Sequence, residues 1–283
     1  MVTDLINRVQ FKSLKISKAI YQTFAFKKPP NKKTIIFVVG CQRSGTSLMM
    51  NIFDRDYKTK VYRENTEVFS NNLRLKSFNV VKEIIDKDKA PLVILKPLLD
   101  TQRSKKMLEY FDNSKILWIF RHYKDVASSN IKRFGIQNGI NDLKPIVQND
   151  TQNWRAENVS KYTREVILKY FSEDMNPYDA AALFWFARNR LFFELQLDTN
   201  PNVIMCKYED LVTNPVSVIS DIYRFIGTDF PGKRITTEVH CKSKGEGKGL
   251  ELSLEIESLC HELWESLNEI YNRRIINNSI SDN

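Results

Sequence analysis

The sequence predicts an α/β fold: a P-loop-like parallel β-sheet flanked by helices on both faces, in three layers. Three observations predict it. Short, nearly continuous apolar runs alternate along the chain with stretches of helical periodicity. The runs are too uniformly apolar for strands with one wet face and suit strands covered on both sides. A glycine-bracketed, hydroxyl-rich segment directly follows the first run and precedes a helix, the junction where such sheets hold anions.

Taken in order, the strands are expected at Thr34 to Val39 (TIIFVV), Leu92 to Leu95 (LVIL), Ile116 to Phe120 (ILWIF) and Val203 to Cys206 (VIMC). A weaker strand, Thr59 to Tyr62, is expected between the first two. Helical spacing fills the gaps at Ser47 to Phe53, Asn71 to Ile85, Arg103 to Phe111, Asp125 to Arg133, Pro177 to Leu197 and Pro215 to Ile226. In the last of these, Asn214 stands at the N-cap position, Pro215 at the first helical position and Gly227 at the close. The tail from Leu250 to Ile276 repeats Leu254, Leu259, Leu263, Leu267 and Ile270 at helical spacing and is expected to pack as a helix. A polar span from Gly135 to Ser172 reads as a helical insertion, a place for substrate-specific elements.

The chain has 283 residues, 42% hydrophobic and 27% charged, which excludes disorder, collagen-like repeats and a disulfide-stapled miniprotein. Lys and Arg number 43 against 34 Asp and Glu, for a net charge of +9. That balance attracts anions without choosing among phosphate, sulfate, nucleic acid and acidic lipid. Four cysteines without CxxC spacing and three histidines argue against zinc, and lone thiols fit a cytoplasmic protein. No apolar run approaches the roughly 20 residues that cross a bilayer. Residues 1–33 form a basic, partly amphipathic helix and a Lys/Pro linker, ahead of one domain at 34–283. The helix is expected to pack on the domain's side, with peripheral membrane contact as the other reading.

Two of the nine glycines bracket Gly40-Cys41-Gln42-Arg43-Ser44-Gly45-Thr46-Ser47. The spacing is that of the phosphate loop G-x-x-x-x-G-K-[ST], with Thr46 in the lysine position. A magnesium-dependent nucleotide triphosphatase or kinase needs that lysine and a strand-end acid. Here the ILWIF run is followed by Arg121, so a metal-free anion site fits better than Mg-ATP chemistry. A non-catalytic anion or nucleic-acid binder is the third reading; the charge is not concentrated in one block and no nucleic-acid motif is present.

The segment Gln42-Arg43-Ser44-Gly45-Thr46-Ser47 resembles the 5′-phosphosulfate loop of sulfotransferases that use 3′-phosphoadenosine 5′-phosphosulfate (PAPS), in the R-S-G-T-[ST] form of the Golgi and bacterial branches. The resemblance implies that Gln42, Arg43, Ser44, Gly45, Thr46 and Ser47 bind the 5′-phosphate and sulfuryl group. Arg121, Asp125 and Ser129 are similarly in register with the family's 3′-phosphate motif R-x-x-x-D-x-x-x-S, with Arg121 and Ser129 as ligands and Asp125 capping the helix or orienting Arg121. The segment from Lys207 to Pro215 resembles the family's YEDL…NP stretch and implies that Tyr208 lies near the cofactor. A late loop from Lys242 to Gly249, rich in lysine and glycine, suits a lid giving ammonium and backbone donors to phosphate, with Lys242 and Lys248 as candidates.

Sulfuryl transfer needs an oriented acceptor, a stabilised leaving group, excluded water and a base for the acceptor's proton. By the same resemblance, Arg43 and Lys96 are the candidates for leaving-group stabilisation and Glu64 for the base, with Glu67 the runner-up. The expected cofactor is PAPS and the expected partner an acceptor hydroxyl, chiefly of a carbohydrate, otherwise of a lipid or small molecule. Trp154, Tyr162, Tyr178 and the cluster Phe184-Trp185-Phe186 are candidates for the acceptor pocket, or else for the core.

Overall fold

The computed structural model describes residues 2–241 and 244–280, with side chains from 13 to 241 and from 244 to 273. The elements run α1 (Val2–Ala25), β1 (Thr34–Gly40), α2 (Thr46–Asp54), β2 (Thr59–Tyr62), α3 (Phe78–Asp86), β3 (Leu92–Leu95), α4 (Ser104–Tyr110), β4 (Ser114–Phe120), α5 (Tyr123–Phe134), α6 (Asn138–Val147), α7 (Lys161–Tyr170) and α8 (Pro177–Glu194). Then follow β5 (Val203–Lys207), α9 (Tyr208–Thr213), α10 (Pro215–Ile226) and α11 (Leu254–Ile280).

The five strands form one sheet in the order β2-β3-β1-β4-β5, parallel throughout. Alternation along each strand divides the core into two layers. Phe37, Val39, Trp118 and Phe120 point to the side covered by α3, α4, α8 and α11. Ile36, Val38, Leu117 and Ile119 point to the side covered by α2 and α10. Both faces are therefore dry, which is why the strands read as continuous apolar runs. The chain leaves β1 toward β3 and later crosses to β4, so the sheet's switch point lies at the carboxyl end of β1.

The span from Gly135 to Ser172 supplies α6 and α7, which close a third small core against α8 through Ile140, Leu143, Ile167 and Phe184. Two expectations are corrected. The helix expected from Asn71 begins at Phe78 instead. Asn72 Oδ1 accepts from Ser70 Oγ and from the Arg74 N–H, and Phe69 pairs antiparallel with Leu75, so a tight turn replaces the first two helical turns. In the tail, Leu254 is 83% exposed and the buried stripe runs through Ile256, Cys260, Leu263 and Leu267. The segment after β5 forms the short helix α9.

Helix α1 lies against the carboxyl end of α2 and the start of β2. Lys18 is buried there and donates to the Asp54 carbonyl (2.9 Å) and to Thr59 Oγ1 (2.9 Å). Gln22 Nε2 donates to the carbonyls of Tyr57 (2.9 Å) and Thr59 (2.8 Å). Burial lowers the Lys18 pKa to about 8 against the opposing pull of Asp54 and Asp56. Among the described residues no helix is long and apolar enough to cross a membrane.

Candidate active site

Each of the five strands delivers a candidate residue at or just beyond its carboxyl end. The Gly40–Ser47 loop follows β1, Glu64 follows β2, Lys96 follows β3, Arg121 follows β4 and Tyr208 follows β5. These residues meet at a cleft of about 800 Å³, whose lining includes Gln42, Arg43, Gly45, Thr46, Ser47, Glu64, Lys96, Arg121, Ser129 and Tyr208.

The loop turns sharply enough to need left-handed backbone at Arg43 (φ 68°) and Gly45 (φ 99°). Gly45 is the N-cap of α2 and offers no side-chain cap, so the first N–H groups of the helix are left for an anion. A Cβ on Gly45 would lie 2.4 Å from Tyr208 Cδ2, because the tyrosine ring packs on the glycine. Tyr208 is itself held under the Arg121 guanidinium, 4.5 Å from Cζ to ring centre.

The two anion motifs are joined directly. Arg43 Nε donates to Ser129 Oγ at 3.1 Å, and Arg121 Nη1 donates to the Arg43 carbonyl at 3.3 Å. Trp185 Nε1 donates to the Arg121 carbonyl from below (3.0 Å). Burial, and then the positive charges of Arg133 and Arg121, lower the Arg43 pKa, while Glu246 opposes them. On the other wall Lys96 Nζ donates to Ser47 Oγ (3.2 Å) and pairs with Glu64 Oε2 (2.7 Å). Glu64 lines the cleft, whereas Glu67 is exposed and is not among the lining residues.

Other expected residues are placed differently. Ser44 is wholly buried beneath the loop rather than lining it, and its Oγ has no hydrogen-bond partner. Gln42 Nε2 donates to Asp142 Oδ2 (2.9 Å), so its side chain is tied to the insertion. Lys248 is exposed and does not line the cleft, and Lys242 lies outside the described residues. Asp125 does not cap α5; His122 does, accepting from the Lys124 N–H (3.3 Å). The Asp125 carboxylate meets Arg121 instead, the other expected role, accepting from its Nη2 (3.4 Å), and it also accepts from the N–H groups of Gly245 (2.9 Å) and Gly247 (2.8 Å), which are thereby spent. Gly247 must be glycine, since a Cβ would stand 2.3 Å from the Lys124 carbonyl carbon. Of the aromatic candidates only Trp154 lines the cleft; Phe184, Trp185 and Phe186 are core and Tyr162 is exposed.

Sequence reasoning missed several contributors, Lys132, Arg133, Asn138 and Arg155 among them. Glu246, on the loop anchored by Asp125, brings its carboxylate 3.8 Å from both Arg121 and Lys132. Asp142 on α6 is buried and receives Gln42, Asn138 (2.7 Å) and Arg155 (2.6 Å). Burial raises its carboxyl pKa, with Arg155 the strongest opposing influence. Leu73, Leu98 and Leu99 add an apolar stretch. The Gly-x-Gly-x-Gly run at 245–249 was the available sign of a close backbone approach, but its partner, 120 residues upstream, leaves no mark in local sequence.

Six basic side chains (Arg43, Lys96, Arg121, Lys132, Arg133, Arg155) face three acidic ones (Glu64, Asp142, Glu246) around the cleft. The glycine-bracketed loop and these cations stand together at the carboxyl edge of the parallel sheet of a three-layer α/β/α protein. Residues 33–273 match the family model described as the sulfotransferase domain, and the chain belongs to that family. Membership makes it a transferase enzyme.

Several solved structures are similar to the chain. The sulfotransferase domain of the Synechococcus PCC 7002 olefin synthase is 16% identical, with 86% of this chain and 98% of that one covered at a TM-score of 0.47. The sulfotransferase domain from the curacin biosynthetic pathway is 16% identical, covering 84% and 99% at 0.48. A sulfotransferase from Alicyclobacillus acidocaldarius is 16% identical, covering 85% and 92% at 0.44. No curated protein sequence matches the chain.

Proposed function

We propose that this enzyme is a cytoplasmic sulfotransferase that takes its sulfuryl group from PAPS and gives it to an acceptor hydroxyl, in the first instance that of a carbohydrate. What carries the reading is the direct contact between the two anion motifs, 3.1 Å from Arg43 Nε to Ser129 Oγ across 86 residues of sequence. Two phosphate-binding elements so close together suit one nucleotide with phosphates on both sides of its ribose. The residues present fit such a group: the uncapped start of α2, the partnerless Ser44 hydroxyl under the loop, and an excess of cations over carboxylates.

PAPS, when bound, supplies an activated sulfuryl group whose departure leaves negative charge on a phosphate oxygen. The loop from Gln42 to Ser47 would hold the 5′ end, and Arg121 with Ser129 the 3′-phosphate, through charge-assisted hydrogen bonds. Tyr208 buttresses Gly45 and Arg121 together. Lys96, at Ser47 and the helix N-terminus, neutralises growing charge on the leaving side. Glu64 takes the acceptor proton, and its ion pair with Lys96 keeps it aimed into the cleft. Trp154, Asn138, Asp142 and Arg155 offer the mixed apolar and hydrogen-bonding wall that a hydroxyl-bearing ring requires.

The test is thermal stabilisation by 3′,5′-bisphosphoadenosine, with ADP and ATP–magnesium as controls. At about 100 times its Kd a ligand specific to the folded state adds about 2.7 kcal/mol. A metal-independent shift that requires the 3′-phosphate is the expected result. A response to ATP–magnesium alone would overturn the reading in favour of a kinase.

A further inference from the structure

Among the described side chains, the hydrogen bonds that fasten helix α1 to the body come from one face, with Tyr21 packed on Tyr57 beside them. Ser17, Lys18 and Gln22 make these hydrogen bonds to Tyr57, Asp54 and Thr59. Ile16, Ile20 and Phe24, four residues apart, form a continuous stripe that is 63%, 54% and 78% exposed. At about 100° per residue the centre of that stripe lies roughly opposite Lys18. Isolated exposed apolar residues need no explanation, but three aligned on one helix face do.

Charge indicates what covers them. Residues 1–33 hold eight basic side chains and a single acidic one, Asp4. Lys15 on the helix and Lys27, Lys28 and Lys32 just beyond it are all exposed. Pairing with a second copy would set two such basic segments face to face. An acidic lipid surface accepts both the apolar stripe and the lysines.

We propose that α1 seats this enzyme on anionic membrane surface, with Ile16, Ile20 and Phe24 in the headgroup–acyl boundary and the neighbouring lysines against acidic headgroups. The attachment is peripheral and salt-sensitive. It also leaves the cleft open. The contacts of α1 lie at the amino end of β2, through Thr59, whereas the cleft is built at the carboxyl ends, beyond Tyr62 at Glu64. Membrane seating concentrates the enzyme near a bilayer without burying its mouth, and it does not depend on which nucleotide the cleft takes.

The experiment is co-sedimentation of the full chain with phosphatidylcholine vesicles and with phosphatidylserine-rich ones, at low and high salt. The expected result is binding to the acidic vesicles alone, weakened by salt. The triple variant Ile16→Ser, Ile20→Ser, Phe24→Ser and, separately, Lys27→Glu with Lys28→Glu are each expected to lose roughly tenfold or more in partitioning. Circular dichroism and bisphosphoadenosine binding should stay unchanged, since these side chains touch neither core nor cleft. Failure of the wild type to sediment with acidic vesicles, or equal binding by the variants, overturns the proposal. So does a concentration-dependent dimer that the apolar variant abolishes in the absence of lipid, which would assign the stripe to a second copy.

Discussion

The Lys96 ammonium lies 2.7 Å from Glu64 Oε2 and 3.2 Å from Ser47 Oγ, so one side chain links the carboxylate beyond β2 to the anion loop beyond β1. If Glu64 accepts the acceptor's proton, Glu64→Gln removes the base while keeping the shape. Turnover with radiolabelled PAPS, on whichever hydroxyl a carbohydrate and phenol panel identifies, should fall about 10²- to 10⁴-fold. Bisphosphoadenosine affinity should change little, because Glu64 does not belong to the phosphate-binding set. Lys96→Ala should lower both turnover and nucleotide affinity. Near-wild-type turnover in Glu64→Gln would remove it as the base.

Gly45→Ala tests the loop's geometry. The new methyl group would meet Tyr208 Cδ2 at 2.4 Å, at a residue whose φ of 99° an L side chain rarely adopts. Tyr208 is buried and stacked under Arg121, so it has no room to withdraw. A destabilisation of about 1–3 kcal/mol is expected in denaturant titration, together with weakened nucleotide binding. Adding Tyr208→Ala should relieve the clash but not the backbone strain, so recovery should be partial. Full recovery would show that sterics alone were at issue.

The strands were legible because both faces of the sheet are dry, and a doubly covered strand has no polar position to break its apolar run. The candidate residues at strand ends were legible for a related reason: the loop, Lys96 and Arg121 each sit where a buried run meets its first polar residue. What escaped was held together over long separations. Asp125 meets Gly245 and Gly247 some 120 residues on, and Gln42 meets Asp142 across 100 residues. The false helical start at Asn71 had a local cause, since Asn72 hydrogen-bonds its neighbours into a turn that periodicity does not register.

Arg121→Lys tests whether Arg121 is the 3′-phosphate ligand. Its guanidinium lies over Tyr208 and bonds the Arg43 carbonyl, at the motif expected to hold that phosphate. Hydrogen bonds to charged groups contribute about 1.5–3 kcal/mol, so Arg121→Lys should weaken bisphosphoadenosine by roughly tenfold or more in calorimetry. Adenosine 5′-phosphate, which lacks the group, should bind the variant and wild type nearly alike. Equal losses for both ligands would mean that Arg121 supports the loop rather than the 3′-phosphate.

Glu246 sets a carboxylate among the cations that an anionic nucleotide would use, 3.8 Å from Arg121 and 3.8 Å from Lys132. Repulsion between that carboxylate and a bound phosphate opposes binding. Glu246→Gln should therefore tighten bisphosphoadenosine binding, by roughly three- to tenfold at low salt, with the gain shrinking as salt screens it. Titrations at two ionic strengths check both parts. Weaker binding in the variant would instead make Glu246 a ligand or a support of the loop.

His122 gives the fold a pH dependence of known sign. Burial lowers its pKa from the ordinary 6.5, with Lys124 and His261 acting in the same direction and Asp125 and Glu257 opposing. The neutral ring is also the one the structure uses: Nδ1 accepts from the Lys124 N–H at the start of α5, and the ring stacks on Tyr123. Below about pH 6.5 the unfolded chain takes up a proton that folded His122 resists. Its share of stability is thus intact at neutral pH and is lost as pH falls through the unfolded value toward the folded one. His122→Asn keeps a cap acceptor that does not titrate. Melting temperatures followed from about pH 7.5 down to about pH 5 should fall less steeply in the variant than in the wild type. Parallel curves would show that the acid sensitivity of this fold does not come from His122.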